Sequence, residues 1–184
     1  MPVWAIVLIV VVAVILILAI IYKNVFVGLS NQVKEAFSTM DVYLKQRWDL
    51  VPNLVETVKG YAKHEKETFE DVVKLRSGAY DKMTDAEKIE ANQKLTQGIS
   101  RIMALAENYP ELKASDSFNN LSAQLTDLEK DIANSRKYYN ATVKTYNNKV
   151  EMIPGNLFAA ILGYRSKPMF EIADTERANV KVEF

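Results

Sequence analysis

The chain has 184 residues, with 23 Lys plus Arg balanced by 23 Asp plus Glu, and no cysteine. Balanced charge excludes a long-range field that would gather nucleic acid or an acidic substrate, and the missing thiols exclude disulfides, thiolate metal sites, a cysteine nucleophile and lipid attachment through cysteine. The length allows one ordinary domain of roughly 100 to 200 residues plus an anchor, and the near-neutral mean hydropathy averages an almost purely apolar start with a charged remainder.

No charged residue occurs from Pro2 to Tyr22, and about 20 residues at about 1.5 Å each cover the roughly 30 Å hydrocarbon layer of a bilayer. The many Val and Ile residues would favour a strand in water. In lipid a lone segment must satisfy its own backbone hydrogen bonds, which only a helix does. Pro2 suits the first helical turn, where its missing N–H costs nothing. Trp4 and Tyr22 stand at the two ends, where amphipathic rings favour the membrane interface, and Lys23 follows at once. A cleaved signal peptide and a buried soluble helix are the competing readings. The first lacks a basic start, a short apolar core and a small-x-small cleavage site. Lys23 and Lys34 follow the span and no basic residue precedes it, so the positive-inside tendency predicts an outside N-terminus and a cytoplasmic C-terminal domain. The expected organisation is an anchor at 1–23, a helical bundle at 24–153, and a short apolar helix with an extended tail at 154–184.

Beyond the span, Leu29, Val33, Phe37, Met40 and Leu44 recur at helical steps, so the anchor continues as a stalk. Val51, Val55, Val58, Ala62, Phe69 and Val72 keep that step to about Tyr80, with Glu65 at one inward position. Pro52 removes a donor and disfavours helical geometry at Val51, which predicts a kink or restart there, with Asp49 as a cap; a hairpin is the alternative. Thr84-Asp85-Ala86-Glu87 is a capping box that starts a helix with the face Leu95, Ile99, Ile102, Ala106 and Tyr109, stopped by Pro110. Gly98 weakens its interior by about 1 kcal/mol relative to alanine, which suggests close helix packing. Ser115 or Ser117 caps the next helix, where Phe118, Leu125, Ile132, Tyr139, Tyr146 and Ile153 repeat every seventh residue. Its companion seam, Leu121, Leu128 and Ser135, moves one place on to Val143 and Val150, as a 3.6-residue helix drifts against a 3.5-residue repeat.

Pro154-Gly155-Asn156 ends that helix and caps a short apolar turn, 157–162, closed by Gly163. Val180 to Phe184 alternates as a strand would, too short to hold without a partner. The fold class expected is all-α: a single N-terminal transmembrane helix followed by an elongated antiparallel bundle, partly coiled-coil in character, of three to four long helices.

Chemistry is sparse. The lone histidine, His64, shares a helix face with Glu67 and Asp71, a fragment of a di-iron ligand set that one histidine does not complete. No nucleophile elbow, glycine-rich phosphate loop or Walker pattern is present, so no catalytic, cofactor-binding or metal-binding residue is assigned and no enzyme activity is expected. Of Tyr61, Tyr109, Tyr138, Tyr139 and Tyr146, most lie on or beside inward faces and no basic stripe accompanies them, which favours packing over nucleic-acid stacking. The candidate contact surface is Leu157, Phe158, Ile161 and Leu162 with Met169 and Phe170. Either it caps the bundle core, or it meets lipid or another subunit.

Met40-Asp41-Val42 through Leu44-Lys45-Gln46-Arg47, Asp49 to Val55 and Val58-Lys59-Gly60-Tyr61 together resemble the LemA family. So do Ala106 to Lys113, Arg136-Lys137-Tyr138-Tyr139-Asn140 and Pro154-Gly155-Asn156. Phe37 stands where such sequences often have tryptophan, and Trp48 where a smaller ring is common. The resemblance implies a bacterial or archaeal inner-membrane protein with one span and a cytoplasmic helical domain, and carries over no catalytic residue. Two functions are expected in turn: a non-enzymatic scaffold acting through homo-oligomers or a membrane-protein partner, or a protein that binds or remodels the bilayer surface with 157–162.

Overall fold

A computed structural model of the chain describes residues 2–62, 65, 69, 70, 72, 73 and 79–170. It is all-α, with no strand among the described residues. Helix α1 spans Val3–Tyr61, α2 Asp85–Ala106, α3 Pro110–Lys113, α4 Asp116–Glu151 and α5 Gly155–Leu162, and one turn of 3-10 helix covers Tyr80–Lys82. The reading of His64, Glu67 and Asp71, and the strand expected at 180–184, lie outside the described residues.

Pro52 sits inside α1, which neither reverses nor restarts there. Trp48, Val51, Leu54, Val55 and Val58 are all buried around it. At about 1.5–3 kcal/mol for each buried side chain, their packing outweighs the roughly 3 kcal/mol that an interior proline costs. Asp49, expected as a cap, pairs instead with Lys45 one turn earlier at 2.6 Å. The break comes later than expected: α1 ends at Tyr61, and Ala62 and Glu65 lie outside helix, so the apolar step from Val51 to Val72 does not belong to one helix. Lys59 lies over the Phe69 ring, and by Tyr80 the chain is back beside Asp41. The reversal therefore follows Tyr61.

The chain forms two compact units. The first holds residues up to Phe37 together with Lys137–Met169. Here α1 and α4 run antiparallel: Phe37 meets Tyr139 edge-on at 5.8 Å, and Tyr22 lies under Lys149. The seam read from the sequence is buried at Tyr139, Val143, Tyr146 and Val150. The segment after α5 is tied to α4 by polar groups. Tyr139 and Tyr146 donate to the carbonyls of Pro168 and Arg165, while the Asn147 amide donates to the Lys167 carbonyl and accepts from the Lys167 N–H. Burial, with Tyr164 nearby, raises the Tyr146 pKa.

The second unit holds Ser38–Arg136 together with Phe170. Residues Phe118, Leu125 and Ile132 carry the α4 seam into its core, beside Leu95, Ile99 and Ile102 of α2. The capping box at Thr84 is complete: the Thr84 Oγ accepts from the Glu87 N–H, and the Glu87 carboxylate accepts from the Thr84 N–H at 2.7 Å. That backbone N–H, together with the Thr84 hydroxyl, lowers the Glu87 pKa. The helix stops at Ala106, short of Tyr109, and Pro110 opens the single turn α3.

A buried polar cluster crosses this core. Arg47 of α1, 1 % exposed, donates to Thr96 Oγ and to the Asn92 carbonyl at 3.0 Å, to Asn92 Oδ1 at 3.1 Å, and to Glu129 of α4 at 2.5 Å. One guanidinium thus joins three helices, which its planar fork of donors suits better than a lysine would. Alongside, Asp41 accepts from Tyr80 at 2.7 Å and from Lys88 at 2.6 Å. Burial, reinforced by the Asp41 carboxylate, holds the Tyr80 phenol protonated far above its usual range. From Asp41–Lys88 to Arg47–Thr96 the numbers rise together, so α1 and α2 are parallel within this unit and α4 opposes them.

Candidate membrane-interface site

Helix α1 carries a stretch with mean hydropathy 3.5, long and apolar enough to cross a membrane, and none of it is buried inside the protein. Trp4 stands exposed at one end of that stretch. At the other end Lys23 is exposed, while Tyr22 is half-buried and stacks on Phe158 of α5, with ring centroids 4.7 Å apart and planes within 9°. One turn on, the buried Phe26 packs on Tyr164 at 4.9 Å. Helix α5 is therefore seated on the residues where the apolar stretch ends.

The approach depends on Gly155. A Cβ there would overlap the carbonyl oxygen of Lys149 while only touching the Tyr22 ring, so any larger residue forces the start of α5 away from the end of α4. Gly163 closes the helix in the left-handed conformation at φ 78°, as its position in the sequence predicts. The expected capping by Asn156 is not seen: its Oδ1 is buried without a partner, and its backbone N–H bonds to Met152.

The apolar turn divides by face. Phe158 and Leu162 are half-buried and Ala159 is buried, whereas Leu157 is 62 % and Ile161 79 % exposed. Exposed apolar groups continue onto the elbow between α4 and α5, where Met152 is 65 % and Ile153 81 % exposed. Ile153 is the one member of the sevenfold seam that leaves the core, because α4 ends at Glu151 and the chain turns before the seam's next position. Sequence periodicity alone placed it inward. Phe170 is not on this surface: it is buried beneath the Arg136 guanidinium. Of the tyrosines read as packing residues, Tyr139 and Tyr146 are buried, while Tyr61 and Tyr138 are exposed.

An open cavity of about 250 Å³ lies at the elbow, lined by Tyr22, Thr145, Asn148, Lys149, Met152, Ile153, Pro154 and Gly155. No cluster of three or more metal-ligating side chains occurs among the described residues. The arrangement presents apolar groups, one aromatic stack and a cation at the mouth of a membrane-length helix. Those are the means of meeting the headgroup and upper acyl layers of a bilayer.

The sequence matches the LemA family over residues 36–184. It is 27 % identical to magnetosome protein MamQ 2 of Paramagnetospirillum magneticum over 183 aligned positions, which cover 80 % of this chain and 64 % of the relative. It is 23 % identical to protein LemA of Metamycoplasma hominis over 159 positions, covering 86 % of this chain and 73 % of that relative. The magnetosome protein MamQ of Magnetospirillum gryphiswaldense is 32 % identical over 72 positions. The chain thus spans a little under two thirds of the length of the P. magneticum relative.

Proposed function

This chain belongs to the LemA family, as the match over residues 36–184 establishes, and from that premise we propose that it is a single-pass, non-enzymatic protein of the inner (cytoplasmic) membrane whose α5 rests in the bilayer surface and so seats a helical scaffold there. The N-terminus is outside and the bundle cytoplasmic, in keeping with Lys23 and Lys34 behind the span. The scaffold acts on further copies of itself or on a membrane-protein partner.

The observation that carries the seating is the exposure of Leu157, Ile161, Met152 and Ile153 on an elbow held against Tyr22. If α5 were only a lid over the core, its outward face would be polar. In water these side chains form an apolar patch of the kind that marks interaction sites. In lipid each contributes up to about 1.5–3 kcal/mol, and the anchoring span already holds them at the right depth.

Because the chain has no cysteine, a single nitroxide label on Ile161→Cys reports depth in the reconstituted full chain. Collision rates with oxygen and with a water-soluble nickel chelate should place it about 5–10 Å below the phosphates, while a label at Thr142→Cys lies in water. A water-exposed label at both positions overturns the seating. Crosslinking in native membranes tests the scaffold role separately, and a strictly monomeric chain with no crosslinked neighbour argues against it.

A further inference from the structure

The neutral charge of the whole chain conceals an uneven division. Excluding the apolar span, the first unit carries seven basic residues against only two acidic ones, Glu35 and Glu151. Of those two, Glu151 accepts a hydrogen bond from Ser166 at 2.6 Å. The basic excess belongs to the unit whose apolar elbow meets the end of the span, and it includes Lys23, Lys149, Arg165 and Lys167.

We propose that the elbow cavity is a headgroup site for an anionic phospholipid, with Lys149 as its cation. Lys149 Nζ lies 5.7 Å from the centre of the Tyr22 ring, on the residue that ends the apolar stretch. Thr145 and Asn148, one helical turn and one residue before it, add a hydroxyl and an amide to the cavity wall. Its 250 Å³ falls just below the roughly 300–1,000 Å³ of pockets that enclose whole small molecules, so it takes a phosphate and a small polar group. The acyl chains stay outside, along exposed Ile153 and the flank of the span. The negative end of the α4 dipole faces this region and works against an anion, which makes a formal cation at the last turn necessary for the site.

This inference rests on the seating of α5 proposed above, and its test separates the two. The full chain is reconstituted in phosphatidylcholine bilayers containing spin-labelled phosphatidylglycerol or spin-labelled phosphatidylcholine, and the motionally restricted fraction of each is measured. Phosphatidylglycerol should be preferred. Because a basic residue near an anionic surface is worth about 1 kcal/mol, Lys149→Gln should lower that preference about fivefold and Lys149→Arg should retain it. No preference, or a preference unchanged in Lys149→Gln, overturns the headgroup site. In either case an Ile161 label still found in lipid leaves the seating intact, and a label found in water overturns both.

Discussion

Glu129 is the group whose removal should expose most clearly how the second unit is held. Arg47 is almost fully enclosed, whereas the Glu129 side chain is 42 % exposed. Truncating Glu129 to alanine leaves a guanidinium buried with its two donors to Asn92, one to Thr96, and no counter-charge. Stranding a buried ion typically costs about 3–5 kcal/mol; the partial exposure of the partner moves the expectation to the low end, about 3 kcal/mol. Replacing Arg47 by methionine removes the cation but fills its place. The carboxylate then returns to water, and the main penalty is the unpaired Asn92 Oδ1, about 1–2 kcal/mol. The decisive quantity is the double variant. Arg47→Met should destabilise the natural protein yet restore about 1 kcal/mol to Glu129→Ala, a change of sign. Urea titration in detergent, followed by fluorescence of the buried Trp48 in a Trp4→Phe background, measures all four corners of the cycle. If the two effects simply add, Glu129 does not balance the buried charge and the reasoning fails.

Other expectations follow from the same geometry. Gly155→Ala should push α5 off Lys149 and loosen the Tyr22–Phe158 stack, costing about 1–3 kcal/mol in thermal melts and raising the solvent accessibility of a label at 161. Thr84→Ala should cost about 1 kcal/mol through loss of the N-cap. Glu87, whose folded pKa is depressed, adds stability that is present above its ordinary value of 4.5 and lost as pH falls through the lower folded value. Acid melts of Glu87→Gln should lack that component. Tyr80 shifts the other way: its stabilising effect is complete below the ordinary phenol value of 10.0 and fades as pH rises above it. Tyr80→Phe should therefore remove part of the alkaline loss of stability, and absorbance at 295 nm should show one fewer phenol ionising as the protein unfolds, with the titration before unfolding unchanged.

The helices were legible where one physical signal dominated. The capping box at Thr84, the left-handed Gly163 and the sevenfold seam from Phe118 to Tyr146 each depend on neighbours within a turn or two, and each is present as read. At Pro52 the restart and the hairpin are overturned, because the proline's cost is local and the packing that outweighs it is not. Arg47 escaped notice for a related reason. It lies between Leu44 and Val51, at an inward step of the apolar pattern, but a charge there signals a buried cluster only once Asn92, Thr96 and Glu129 have been brought round it. The candidate site was half legible: the apolar residues 157–162 stood out, yet their division into a docked face and an open one requires Tyr22, and the departure of Ile153 from its seam requires the turn at Pro154.

The stack of Tyr22 on Phe158 joins two helical turns that the ribosome makes far apart in time. At about 5–20 residues per second, synthesis leaves roughly seven to twenty-seven seconds in which the span can enter the bilayer before its covering helix exists. Through that interval the rings of Tyr22 and Phe26 have only each other, and in the proposed seating headgroups surround them at their level. A tyrosine is at ease there before α5 arrives and remains suited to the stack afterwards. Under the membrane seating proposed above, the same residue serves the nascent chain as a depth marker and the finished protein as a docking face, so insertion in the membrane need not wait for the bundle to fold.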